Sequence, residues 1–287
     1  MNVKTPIPPL VFVFAASDPT SGAGIQADLL TLAALGCHPL CAVTAITVQD
    51  TTGVDSIDPV AAASLRRQAR AVLDDMPVAA FKTGVLGSVE NVLAIAAIVA
   101  EYPSIPLVVD PVLASGRGDP FSGTEIIAAM REVLLPHTTV LTPNAPEARR
   151  LAAGDAEAEA GELSLQACAE RLLAMGAGHV LITGTHESTP DVVNTLYGPD
   201  GVLRRDCWPR LAGSYHGSGC TLAAAIAGRL AAGAGIGEAV RDAQDYTWQA
   251  LSGGFRPGRG QFIPDRFFAL RGNAAHSPSA GSATRGG

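Results

Sequence analysis

Lysine is almost missing from this 287-residue sequence; it stands only at Lys4 and Lys82. Charge of either sign is sparse at 16% of residues, and the balance is acidic, with a formal net charge of -7. A nucleic-acid surface needs a basic stripe, so that class of partner is excluded. An acidic chain can still bind phosphates, because backbone amides and a bound metal ion supply local positive potential. Paired cysteines are lacking too. Cys37, Cys41, Cys168, Cys207 and Cys220 are scattered and no C-x-x-C occurs, which argues against a zinc site or a redox dithiol. Cys37 and Cys41 flank the start of a predicted strand and read as core thiols. No apolar run reaches the length of a membrane span. The opening "MNVKTPIPPL" has too little hydrophobic length before its prolines for a signal peptide. A reduced, cytoplasmic setting with no membrane partner is expected. No G-x-x-x-x-G-K-[ST] occurs, which excludes a Walker-type nucleotide loop.

What the sequence does hold is alternation, with 47% hydrophobic residues available for a core. Short apolar runs such as "LVFVFAA", "PLCAVTAITVQ", "VAAFKTG", "PLVVDP", "TTVLTPN" and "HVLITGT" read as strands, separated by helix-like segments. The spacing predicts parallel strands joined by helical crossovers, with helices on both faces of one sheet. "DVVNTLYGPDGVLRRDCW" reads as a β-hairpin with Pro-Asp-Gly at its turn. Residues 1–271 are expected to form one domain, with an acidic insertion at 154–162. The small polar segment 272–287 is expected to be a disordered tail.

Ligands of such sheets bind beyond the carboxyl ends of the strands. The segments that follow the predicted strands, "SDPTSGAG", "QDTTG", "KTGVLG", "DPVLASGRGD", "TPNAPE" and "TGTH", are rich in glycine, hydroxyls and carboxylates. "GAGIQA" fits a dinucleotide fingerprint, but "SDPTS" intervenes where the tight turn after the strand should be. Asp110 and Glu147 close neighbouring strand ends. They either hold Mg2+ or, for Glu147, simply favour a first helical turn. Gln49 ends the second strand at the same rim, where its amide suits a ring bearing adjacent nitrogen and amino groups. Asp28 either faces solvent or belongs to a site. His216 reads as a core residue, a cap or a phosphate donor.

The segment "HGSGCTLAAAIAGRLAAG" delivers Cys220 from a glycine turn into the first turn of an alanine-rich helix, expected from about Cys220 to Leu230. The first amides of a helix lack intrahelical partners and carry the positive end of the dipole, so an anion is the natural guest. The same field is expected to lower the pKa of Cys220; the other reading is a plain cap beside a small cysteine.

Taken in order, "SDPTSGAGIQADLLTLAALG", "TAITVQDTTGV", "VVDPV", "LTPNAPEA" and "HGSGCTLAAAIA" resemble the bacterial hydroxymethylpyrimidine/phosphomethylpyrimidine kinases of thiamine biosynthesis, which belong to the ribokinase-like superfamily. The similarity runs from about Leu10 to Phe268. It implies a three-layer α/β/α sandwich with a mostly parallel central sheet. It implies ATP and Mg2+ as cofactors and a homodimer. Gly217, Ser218 and Gly219 would form the anion hole and Cys220 would be the base. Ala16, Asp28, Gln49 and Val85 would meet the pyrimidine. Asn144, Thr183, Gly184 and Thr185 would meet the nucleotide, with Asp110 and Glu147 at the metal. The chain departs from that family at Ala16 (usually Gly), Val85 (usually Met) and Thr183 (usually Lys), and the "DPVLASGRGD" loop lacks a lysine near Ala114 or Ser115, where Arg117 is the candidate substitute. A pyridoxal-type kinase, a catalytically weak pyrimidine-binding homologue and a dinucleotide oxidoreductase are the competing readings.

Overall fold

The computed structural model describes residues 6–113, 123–154 and 163–274. Arg117 and the lysine-poor loop around it, most of the expected acidic insertion, and the tail beyond Ala274 lie outside the described residues. A nine-stranded sheet runs in the order β3-β2-β1-β4-β5-β6-β7-β8-β9. Its strands are β1 Leu10–Ser17, β2 His38–Asp50, β3 Gly53–Pro59, β4 Ala80–Thr83, β5 Leu107–Val109, β6 Val140–Leu141, β7 Val180–Ile182, β8 Asp191–Gly198 and β9 Gly201–Pro209. From β2 through β7 neighbouring strands are parallel; β3, β8 and β9 are antiparallel additions.

The strand at the centre shows why a continuous apolar run was needed. Phe12 and Phe14 of β1 enter one core, with Leu40, Phe81, Leu107 and Leu141. Val11, Val13 and Ala15 enter the other, with Val108, Val140 and Leu181. A strand covered on both faces cannot alternate polar with apolar. The first face is covered by α2 (Ala62–Leu73), α3 (Val89–Val99), α4 (Thr124–Ala129, continuing as a π-helical turn at Met130–Leu134), α5 (Ala145–Ala153) and α6 (Leu165–Ala174). The second is covered by α1 (Gly24–Ala34), α7 (Ser218–Ala231) and α8 (Ile236–Ser252). The alanines of α7 (Ala223, Ala224, Ala225 and Ala227) are fully buried, and their small side chains let the helix lie close to the sheet.

Several expectations change. The antiparallel strand β3 was not anticipated. The last helix, α9, spans Phe268–Ala274 and continues through the first residues of the expected tail. Cys37 is buried as expected, whereas Cys41 is exposed, because alternate positions of β2 point away from the core. Among the described residues no helix is long and apolar enough to cross a membrane.

Candidate active site

The carboxyl ends of the parallel strands open into one cavity of about 480 Å³. Ser17, Gln49, Val85, Asp110, Asn144 and Thr183 bring the rim of the sheet to its wall, and the tip of α7 closes it. Of the expected residues, Ala16, Gln49, Val85, Asp110, Asn144, Glu147, Thr183, Thr185, Gly217, Ser218, Gly219 and Cys220 line this cavity. The polar rim read from the sequence is therefore a single site.

Helix α7 begins at Ser218, two residues earlier than expected, behind Gly217 as N-cap. Gly217 has φ 80°, and a Cβ there would stand 2.0 Å from the carbonyl oxygen of Gly22, so only glycine fits. Its N-cap is a glycine, so the helix has no side-chain cap of its own. The amides of Ser218, Gly219 and Cys220 therefore face the cavity with the dipole behind them. Gly219 lies opposite Asp110: a Cβ there would be 3.6 Å from Oδ1.

Two expected ligand contacts are not at the wall. Asp28 is fully buried behind it, where both carboxylate oxygens accept from Lys82 Nζ at 2.8 Å. The apolar stretch around Asp28 hides an ion pair inside the protein rather than presenting a carboxylate to a ligand. Burial pushes Asp28 up to about 6 against the pull of Lys82. Lys82 is equally buried; burial alone would lower it, but the charges of Asp28, Cys220 and Asp110 hold it above its ordinary value. Gly184 also misses the wall: its amide donates to Asn194 Oδ1 at 3.0 Å, and its Cα packs against Val193.

The expected low pKa of Cys220 is overturned. Its thiol is pushed up to about 12, first by burial and then by Asp110 and Asp28, against Lys82 and the amide of Gly24, which donates to the sulfur. Helix amides are outweighed here chiefly by the desolvation of the sulfur, with two nearby carboxylates adding to it.

Asp110 and Glu147 are two carboxyl groups at this end of the cavity. Asp110 Oδ2 is buried and, among the described residues, has no hydrogen-bond partner. Burial raises Asp110, and the Lys82 ammonium and then the Cys220 thiol lower it in part. Burial and the nearby Asp110 push Glu147 up to about 8. Glu147 also completes a capping box on α5: its Oε2 accepts from the Asn144 amide at 2.9 Å, and Asn144 Oδ1 accepts from the Glu147 amide at 2.9 Å. Both readings of Glu147 thus meet in one residue. Among the described residues no group of three His, Cys, Asp or Glu side chains gathers as a metal cluster. An orphaned carboxylate oxygen beside a second carboxylate nevertheless fits Mg2+, which uses few protein carboxylates and fills its shell with water and phosphate oxygens.

Sequence reasoning passed over two supports of the site. Asp18 is buried and accepts from the Ala23 amide at 2.7 Å, the Thr20 amide at 2.8 Å and His216 Nε2 at 2.9 Å. Burial alone would raise it; these hydrogen bonds, led by His216, hold it below the ordinary carboxylate range. Arg266 is buried beside Thr221 and the 21–22 turn. At the far end of the cavity Val192, Leu211, Leu251, Trp208 and Trp248 make an apolar wall, the two indoles stacked with centroids 6.4 Å apart. Arg210 anchors the loop there through the carbonyls of Thr185, Glu187 and Thr189.

A cleft with anion-ready amides at one end, hard-oxygen donors beside them and an apolar slot at the other belongs to a small-molecule phosphotransferase. The sequence matches the phosphomethylpyrimidine kinase family over residues 18–265. A hydroxymethylpyrimidine/phosphomethylpyrimidine kinase of Streptomyces coelicolor is 40% identical over 276 residues, covering 94% of this chain and 99% of the relative. An ADP complex of Bacillus subtilis pyridoxal kinase superposes with a TM-score of 0.80 at 30% identity, covering 91% of this chain and 98% of that one. A phosphomethylpyrimidine kinase from Clostridium difficile gives 0.71 at 32% identity, covering 84% and 99%. The chain belongs to the phosphomethylpyrimidine kinase family and is an ATP-dependent kinase with a ribokinase-like fold.

Proposed function

We propose that this chain transfers the γ-phosphoryl group of ATP to the hydroxymethyl oxygen of 4-amino-5-hydroxymethyl-2-methylpyrimidine, and then to the resulting monophosphate, in thiamine biosynthesis. The observation that carries this reading is the meeting of the glycine-capped tip of α7, Cys220 and Gln49 in one cavity. Phosphoryl transfer has a loose transition state, so catalysis is mostly positioning and charge stabilisation. The amides of Ser218, Gly219 and Cys220 supply donors to the equatorial oxygens of the migrating group. Gln49 offers a donor and an acceptor to the aminopyrimidine edge, with Ala16 and Val85 packing on the ring. The nucleobase lies along Val192, Leu211 and Trp248, with Thr183, Thr185 and Asn144 on the phosphate side. Asp110 and Glu147 would hold Mg2+, which supplies charge neutralisation to the phosphates when bound.

Cys220 is the group placed to take the hydroxyl proton in the first transfer. In the free protein its thiol keeps its own proton, so the base form grows with pH. The second transfer attacks with a phosphate oxygen that carries no such proton and makes no such demand. Lys82 does not serve a pyridoxal aldehyde, because both oxygens of Asp28 hold its ammonium in the interior. The unpaired cysteines fit a cytoplasmic setting. A homodimer is part of the same reading, with exposed Ile46 and Val48 of β2 as its apolar contact, and sedimentation measures it. ADP release measured in parallel with hydroxymethylpyrimidine, its monophosphate and pyridoxal tests the function. The two pyrimidines are expected to turn over; a preference for pyridoxal overturns the assignment.

A further inference from the structure

The cavity is bounded on one side by the turn before α1 and on the other by the tip of α7. These are separate parts of the chain, and the amides that face the ligand are fixed only if the two are fixed to each other. Gly217 lies against Gly22 with no room to spare, yet that contact is between backbones and cannot by itself hold a register. One polar tie runs from Asp18 to His216.

We propose that Arg266 is a positioning residue of the phosphoryl site, clamping the turn before α1 to the first turn of α7. The proposal rests on the phosphotransfer reading above. Arg266 is 3% exposed. Its Nη2 donates to the Gly22 carbonyl at 2.5 Å, its Nη1 to the Ser21 carbonyl at 3.3 Å and its Nε to Thr221 Oγ1 at 3.1 Å. Thr221 Oγ1 in turn donates to the carbonyl of Gly217, the N-cap, at 2.8 Å. One planar guanidinium thus reaches both walls, a fork geometry that an ammonium cannot reproduce.

Ser21 gives the clamp something to hold. It is the one non-glycine described residue with positive φ, at 57°. Such a conformation is disfavoured for an L side chain and persists where the surroundings impose it. Arg266 is anchored through its own carbonyl, which accepts from Tyr246 OH at 2.7 Å, so α8 backs the clamp. Among the described residues no carboxylate bonds the guanidinium, so its charge stands behind the amides that receive the phosphoryl group.

The test compares R266M, R266K and T221V with the unmodified enzyme. The readouts are kcat and KM for hydroxymethylpyrimidine, ADP affinity, the tightening of ADP binding by aluminium fluoride with pyrimidine present, and Tm. R266M is expected to lose about 10²-fold in kcat, as displaced oxyanion donors do, with ADP affinity little changed and the aluminium fluoride effect lost. R266K is expected to recover only part of it. T221V keeps the side chain's shape but leaves Arg266 Nε and the Gly217 carbonyl without that hydroxyl; it is expected to lose about tenfold in kcat, with a modest fall in Tm. If R266M does not fold, R266K and T221V decide. Unchanged kcat in the folded variants, or an intact aluminium fluoride effect, overturns the clamp while the kinase reading stands. No ADP release by the unmodified enzyme removes the reading and the clamp together.

Discussion

At the scale of single residues, the site is governed by how much negative charge the fold buries near one cysteine. Burial raises the Cys220 thiol most, the carboxylates of Asp110 and Asp28 add to the rise, and the buried ammonium of Lys82 offsets only part of it. Alkylation of Cys220 by iodoacetamide, followed by peptide mass spectrometry to separate it from exposed Cys41 and Cys207, is expected to accelerate about tenfold per pH unit from 7 to 9, the slope of a thiol far below its pKa. A plateau near pH 7 would mean that the helix amides prevail after all. Glu147 supplies a second prediction. Its folded pKa of about 8 exceeds its ordinary value of 4.5. The folded state therefore binds the extra proton. Its advantage is full below the ordinary value and is lost as pH rises through 8. Thermal melts of the metal-free protein should show E147Q matching the parent near pH 5 and exceeding it at pH 8. The reverse order would contradict the burial of this carboxyl.

At the scale of elements, the tip of α7 shows what was legible in the sequence. Glycine before alanine marked a helix start, and the structure moves that start by only two residues. The partners of the helix carry no local pattern. Arg266 meets Gly22 across 244 residues and Lys82 meets Asp28 across 54, so neither contact leaves a periodicity to read. Strand β3 was missed for a different reason: "GVDSIDP" is an exposed edge strand with no buried position, so no apolar run announces it. The glycines of the turn are not equivalent. G217A forces an L side chain to φ 80° against the Gly22 carbonyl and is expected to lower Tm by several degrees, reflecting about 1–2 kcal/mol of backbone strain plus the clash. G219A meets nothing closer than the Asp110 carboxylate at 3.6 Å, so its Tm should hold while turnover falls. Equal melting losses in both variants would contradict this division.

At the scale of the whole molecule, the sheet order puts the site where it is. Parallel strands bring Ser17, Gln49, Asp110, Asn144 and Thr183 to a common rim from distant parts of the chain. The antiparallel pair β8–β9 extends the sheet to give the apolar slot its Trp208 wall. The alternation of strands and helices disclosed this plan, because strands buried on both faces must be continuously apolar. It could not disclose which rim residue faces the cavity and which turns inward, since Asp28 and Gly184 differ from their neighbours only through long-range partners. The same architecture links metal and nucleotide to stability: a ligand present at 100 times its Kd stabilises the fold by about 2.7 kcal/mol. ADP with Mg2+ should therefore raise Tm more than ADP alone, and E147Q should lose that increment. The account as a whole turns on a sulfur and three amides acting on one migrating group. Its most direct test is the rate of ADP release by C220A with hydroxymethylpyrimidine and, separately, with its monophosphate. The first rate is expected to fall by about 10²- to 10⁴-fold and the second far less, with ADP affinity retained; near-parental turnover of hydroxymethylpyrimidine by C220A would contradict it.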